Sequence, residues 1–151
     1  MTDIKRNIAN KITELMEIFP IVAILGSRQV GKTTLARMLY PDWRYIDLER
    51  PKDLEQISYD PSFFFEQNPS ELIIDEAQTY PTLFQVLRGV IDDKRQQKGR
   101  FILTGSSSPE LVKHISESLA GRIAIIELGT LKANEIFKQP LSNFYKMFNK
   151  P

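Results

Sequence analysis

The 151-residue chain has no cysteine, a single histidine and a single tryptophan. Without cysteine there is no disulfide and no thiolate-held zinc, and a reducing compartment suits the chain. No apolar run approaches the roughly 20 residues that span a bilayer, and the opening MTDIKRNIANK lacks the pattern of a secretion signal. An excess of one charge is missing too: 20 lysines and arginines face 19 acids, leaving a net charge of +1. That balance gives no general attraction to nucleic acid or to a membrane surface. What is present, 42 % apolar and 26 % charged residues, is the composition of a soluble globular domain. One domain with a real core is expected at this length, in a cytoplasmic setting.

Apolar spacing then orders the chain. Ile4, Ile8, Ile12, Leu15 and Phe19 recur every three or four residues, which predicts a helix stopped by Pro20. Five short apolar segments follow at 21–25, 44–48, 71–75, 100–104 and 123–128, each with the character of a buried strand. Helical patterns separate them, over 32–40, 51–57, 61–67 and 83–95. A further helix is capped by Ser108, has Pro109 in its first position and carries Leu111, Val112, Ile115 and Leu119 inward. Strands alternating with helices predict an α/β fold, a parallel sheet covered on both faces. Trp43, Phe63, Phe64 and Phe65 are expected to pack beneath the long connection between the second and third strands. His114 is expected to be solvated. The 23 residues after the last strand have room for one or two short helices and not for a second domain.

Between the first strand and the following helix lies Gly26-Ser27-Arg28-Gln29-Val30-Gly31-Lys32-Thr33, the spacing of a phosphate-binding loop. The glycines let the backbone bend until successive N–H groups face one cavity, and the helix that follows adds its positive end. Lys32 is expected on the β- and γ-phosphates and the Thr33 hydroxyl on Mg²⁺, with Thr34 a first-turn helix residue. Arg28 and Gln29 are expected to point outward. The bare pattern arises by accident in roughly 0.5 % of chains this long, and its place between a strand and a helix lowers that further.

The segment Leu72-Ile73-Ile74-Asp75-Glu76 ends an apolar strand in two acids, on the sheet edge where the loop also lies. Asp75 suits the Mg²⁺ shell, through water, and Glu76 suits activation of an attacking water. Alone, such a pair would be read as two solvated acids. Gln78 reaches either the phosphate region or a partner. At the tip of the fourth strand Ser106, with Thr104 second, can sense a γ-phosphate, although serines there also cap helices. Arg122, before the fifth strand, is either a surface arginine or a finger that serves the site of a neighbouring copy. Lys5 and Arg6 can approach a nucleotide base.

Taken in order, GSRQVGKTTL, YIDLE, LIIDEAQ, FILTGSSSPEL and SLAGRIAIIEL resemble the AAA+-type ATPase domain of a large prokaryotic P-loop family. Its members usually carry a C-terminal nuclease-like domain. The resemblance runs from about Ile4 to about Phe137. It implies a three-layer α/β/α sandwich with five parallel strands ordered 5-1-4-3-2, and ATP with Mg²⁺. It assigns Lys32 and Thr33 to the loop pair, Asp75 and Glu76 to the acidic pair, Ser106 to the sensor position and Arg122 to the finger position.

Two features depart from the family pattern. Ser27 stands where proline is more usual, and neither a helical lid nor the nuclease-like half follows the fifth strand. The ATPase core is therefore expected over 1–137, with a short, truncated tail over 138–151. The leading expectation is Mg-dependent ATP hydrolysis, with assembly of copies through Arg122. A nucleotide-binding switch with negligible turnover and a small-molecule kinase are the alternatives. DNA binding has no support in the charge.

Overall fold

A computed structural model describes residues 4–137 of the chain. The tail expected at 138–151 lies outside the described residues. All five strands form, as β1 (Ile21–Leu25), β2 (Arg44–Asp47), β3 (Leu72–Asp75), β4 (Phe101–Gly105) and β5 (Ile123–Glu127). They make one sheet ordered β2-β3-β4-β1-β5, parallel at every pairing. Read from the other edge this is 5-1-4-3-2, the expected order. Every crossover uses a helix, as parallel neighbours require.

Alternation along the strands divides the core into two layers. Ile21, Ala23, Leu25, Leu72, Ile74, Phe101 and Leu103 face one side. There they meet α3 (Pro51–Ser58), α4 (Pro61–Gln67), α5 (Leu83–Asp92) and α6 (Pro109–Leu119). Val22, Ile24, Ile73, Ile102, Ala124 and Ile126 face the other, against α1 (Ala9–Ile18) and α2 (Lys32–Leu39). β1, β3 and β4 are buried on both sides, which explains their unbroken apolar runs. A short α7 (Ala133–Phe137) follows β5.

Four points differ from expectation. The first helix begins at Ala9 rather than at Ile4, because Arg6 is drawn into the core instead of onto a helix surface. Phe64 and Phe65 pack beneath the connection, whereas Phe63, on the outer side of the same short helix, is 59 % exposed. A 3-10 turn over Ala77–Thr79 follows β3 and has no counterpart in the apolar pattern. His114 is half-buried rather than fully solvated.

Arg6 joins the two ends of the described chain. Its Nη1 donates to the Val30 carbonyl at 2.8 Å and its Nη2 to the Gly129 carbonyl at 2.8 Å. Its Nε pairs with Glu135 at 3.2 Å. Both side chains are buried, so the pair is desolvated and each charge depends on the other. Burial acts to raise the Glu135 carboxyl pKa, but the Lys132 and Asn7 N–H groups and Arg6 outweigh it and hold it below the usual value of 4.5. A carboxyl held low contributes stability above its unfolded value, and that contribution is lost as pH falls through the folded one. Glu135→Ala is therefore expected to cost about 3 kcal/mol in denaturant unfolding at neutral pH. The gap to wild type should shrink when the same unfolding is measured below pH 4.5. A gap independent of pH would contradict the assignment.

Candidate functional site

The loop after β1 crosses the carboxyl edge of the sheet. Gly26 N–H donates to the Gly105 carbonyl at 3.1 Å, which fixes the loop to the tip of β4. A Cβ at Gly26 would lie 2.4 Å from the Leu128 carbonyl oxygen, so only glycine fits there. Gln29 and Gly31 adopt left-handed backbone, φ 60° and 94°. Alternating hand turns successive N–H groups toward one concavity, the arrangement that binds anions. Gly31 is the residue before α2 and contributes no side-chain cap, so the first turn of that helix keeps its N–H groups for another acceptor.

Lys32 opens α2 and is only 5 % exposed. Its Nζ donates to the carbonyls of Gly26 at 3.1 Å and Ser27 at 2.9 Å, so the ammonium sits under its own loop. Ser27, Arg28 and Gln29 are exposed, as expected for the loop crown, and Arg28 pairs with Glu49 at 3.1 Å. Thr34 is an exposed first-turn residue. Val30 is half-buried under the Arg6 clamp, so Arg6 supports the loop, and it also lines the cavity that lies against the loop.

Next to Lys32, the Thr33 hydroxyl donates to Asp75 at 2.8 and 3.0 Å from its two oxygens. Asp75 also accepts from the Tyr45 hydroxyl at 2.5 Å and from the Thr104 hydroxyl. One buried carboxylate thus gathers hydroxyls from α2, β2 and β4. The parallel register makes this possible by placing Asp47 beside Asp75 and Ile74 beside Leu103. Thr33 and Asp75 supply only oxygen donors, and the described residues hold no cluster of three or more histidines and acids. That set fits Mg²⁺, which takes one or two protein oxygens and completes its shell with water and phosphate.

Glu76 has left-handed backbone, φ 56°, a strained position for a non-glycine residue. Its N–H donates to the Thr104 hydroxyl at 3.2 Å, and its carboxylate accepts from Gln78 Nε2 at 2.5 Å. Ser106 stands at the tip of β4 beside the loop, its hydroxyl 3.4 Å from that of Ser108, which caps α6. Of the two residues considered at this tip, Thr104 is the one that touches the acidic pair.

Arg122 does not join this group. It precedes β5 and so lies at the amino edge of the sheet, opposite the loop. There it makes a bidentate pair with Asp92, at 2.8 and 2.9 Å. Hydrogen bonding from Arg122 is the main cause that holds the Asp92 carboxyl below its usual pKa.

Tyr45 and Thr104 were not assigned a metal-side role by the sequence. An aromatic and a threonine inside apolar strands read as ordinary strand formers, and only the register brings their hydroxyls to Asp75. Burial, then the bond to Asp75, raises the Tyr45 phenol above its ordinary pKa of 10.0. A raised value in the folded state favours folding below pH 10 and withdraws that support as pH rises further. Tyr45→Phe removes the donor and keeps the ring under Arg37. It is expected to cost about 1.5 kcal/mol in neutral-pH unfolding and to soften the alkaline loss of stability. Equal alkaline slopes in variant and wild type would contradict the bond.

A protein-family model described as AAA domain matches residues 19–137. Uncharacterized proteins of Mycobacterium bovis and Mycobacterium tuberculosis are each 38 % identical to this chain over 135 residues. That alignment covers 87 % of this chain and 30 % of each relative, so the chain spans under a third of their length. Among solved structures it is similar to a signal transduction ATPase with numerous domains, carrying a tetratricopeptide repeat sensor, from Pyrococcus horikoshii. The TM-score is 0.57 at 16 % identity, over 97 % of this chain and 28 % of that one. The likeness shows a shared P-loop NTPase fold. With the loop, the sheet order and the family match over the same residues, the chain belongs to the AAA domain family of P-loop proteins.

Proposed function

We propose that this domain binds ATP with Mg²⁺ and hydrolyses it. The observation that carries the reading is the contact at 2.8 and 3.0 Å between Thr33, which follows the loop lysine, and Asp75, which precedes Glu76. It brings the anion cradle, an oxygen donor set for a hard cation and a carboxylate for water activation to one sheet edge.

In this reading the loop N–H groups from Gly26 to Thr33 and the Lys32 ammonium hold the β- and γ-phosphates. The apolar cavity of about 490 Å³ between Ile4, Val30, Leu35, Met38 and Leu131 lies against the loop and takes the base. Thr33 and Asp75 would hold Mg²⁺, which would supply charge neutralisation to the phosphates. Glu76 accepts a proton from water while the water oxygen bonds to the γ-phosphorus. The bond from that phosphorus to the bridging oxygen breaks, and ADP leaves with the electron pair, yielding inorganic phosphate. Lys32 stabilises the charge that builds on the transferred group. Ser106, at the β4 tip, would sense the γ-phosphate. Arg122 cannot serve its own chain's site from the opposite edge, and would act only on a second copy, after release from Asp92.

Glu76→Gln is expected to keep ATP affinity and to lose phosphate release by about 100-fold or more. Lys32→Ala is expected to lose measurable nucleotide binding by titration calorimetry. Undiminished phosphate release in Glu76→Gln would remove Glu76 from the reaction, and wild-type affinity in Lys32→Ala would overturn the loop assignment. A wild-type chain that binds ATP and releases no phosphate would be a switch rather than an ATPase.

A further inference from the structure

The side chain of Gln78 belongs to neither the phosphate cradle nor the metal side, yet it bridges two parts of the site. Its Nε2 donates to Glu76 Oε2 at 2.5 Å, and its Oε1 accepts the Ser106 N–H at 3.4 Å. The identity of each end follows from chemistry. A carboxylate only accepts and a backbone N–H only donates, so a reversed amide would lose both bonds. Gln78 is the one side chain that donates to the Glu76 carboxylate among the described residues.

The surroundings are shaped for this bridge. The 3-10 turn over Ala77–Thr79, closed by the Thr79 N–H on the Glu76 carbonyl at 3.0 Å, sets Gln78 two residues beyond the acid. The left-handed backbone at Glu76 turns its side chain back toward that amide. Across the gap, a Cβ on Gly105 would meet Gln78 Oε1 at 2.7 Å and Leu111 Cδ2 at 2.9 Å, so the amide packs directly against the bare backbone of the β4 tip.

We propose that Gln78 is a positioning residue for Glu76, an inference that rests on the hydrolytic reading above. By occupying Oε2 it fixes the rotation of the carboxylate and leaves Oε1 as the open acceptor for the proton of water. By its other end it ties that rotation to the backbone at Ser106. A shift of the β4 tip is then passed to the base through a single amide. Glutamate at this position would keep the acceptor toward Ser106 but set a carboxylate against Glu76, while leucine would remove both ends.

The test compares wild type, Gln78→Glu and Gln78→Leu in phosphate release, ATP affinity and thermal melting. Misplacing a reacting group by about an ångström costs on the order of 100-fold in rate. A drop in kcat of that order is expected in both variants, with ATP affinity and melting unchanged. Introducing Gln78→Leu into the Glu76→Gln variant should add no further loss, since the residue acts through Glu76. An unchanged kcat in both variants, or affinity and melting that fall together with kcat, would overturn the proposal.

A second readout needs no turnover. In the nucleotide-free protein the Gln78 side-chain amide proton should resonate downfield by NMR and move upfield in Glu76→Ala. No shift would overturn the bridge. ATP binding by wild type without phosphate release would instead remove the hydrolytic reading, and this inference with it.

Discussion

The loop-bearing edge of the sheet depends on the Asp75 carboxylate. It is 5 % exposed, and a charge so placed is costly unless its oxygens are engaged. Three hydroxyls engage them, from Thr33, Tyr45 and Thr104. Each comes from a different element, so one charged group holds α2, β2 and β4 around the end of β3. Hydrogen bonds to a charged group contribute about 1.5–3 kcal/mol each, enough for this cluster to set the mutual position of four elements. The same arrangement holds Asp75 against Thr33 in the first turn of the loop helix, so little reorganisation is left for the proposed reaction.

Much of the fold was legible because the signals were local. Apolar runs without alternation mark strands buried on both faces, and all three of β1, β3 and β4 are so buried. The loop from Gly26 to Thr33 was legible because the bend between β1 and α2 needs glycine at Gly26 and Gly31. The acidic pair was legible as the end of an apolar strand, since Asp75 and Glu76 follow Leu72, Ile73 and Ile74.

What the sequence concealed depends on register, or on contacts across most of the chain. Tyr45 reaches Asp75 only because β2 pairs with β3, with Asp47 opposite Asp75. Thr104 outranks Ser106 as a partner of the acidic pair because alternation puts positions 104 and 75 on the same face of the sheet as Ile102 and Ile73. Arg6 was expected only to approach a nucleotide base, yet it lies buried on Glu135, 129 positions away. No periodicity reports such a pair. Phe63 misled for the opposite reason, since three consecutive aromatics on a short helix cannot all face one side.

The site separates into parts with distinct tasks. In the proposed function, Lys32, the loop N–H groups, Thr33 and Asp75 bear on binding of nucleotide and metal. There Glu76, with Gln78 behind it, bears on the chemical step. The central claim is that the Thr33–Asp75 pair receives a divalent cation together with the nucleotide. Titration calorimetry of ATP with the wild-type chain, in Mg²⁺ and again in EDTA, tests it most directly. The account predicts clearly tighter binding in Mg²⁺; equal affinity under the two conditions would contradict it.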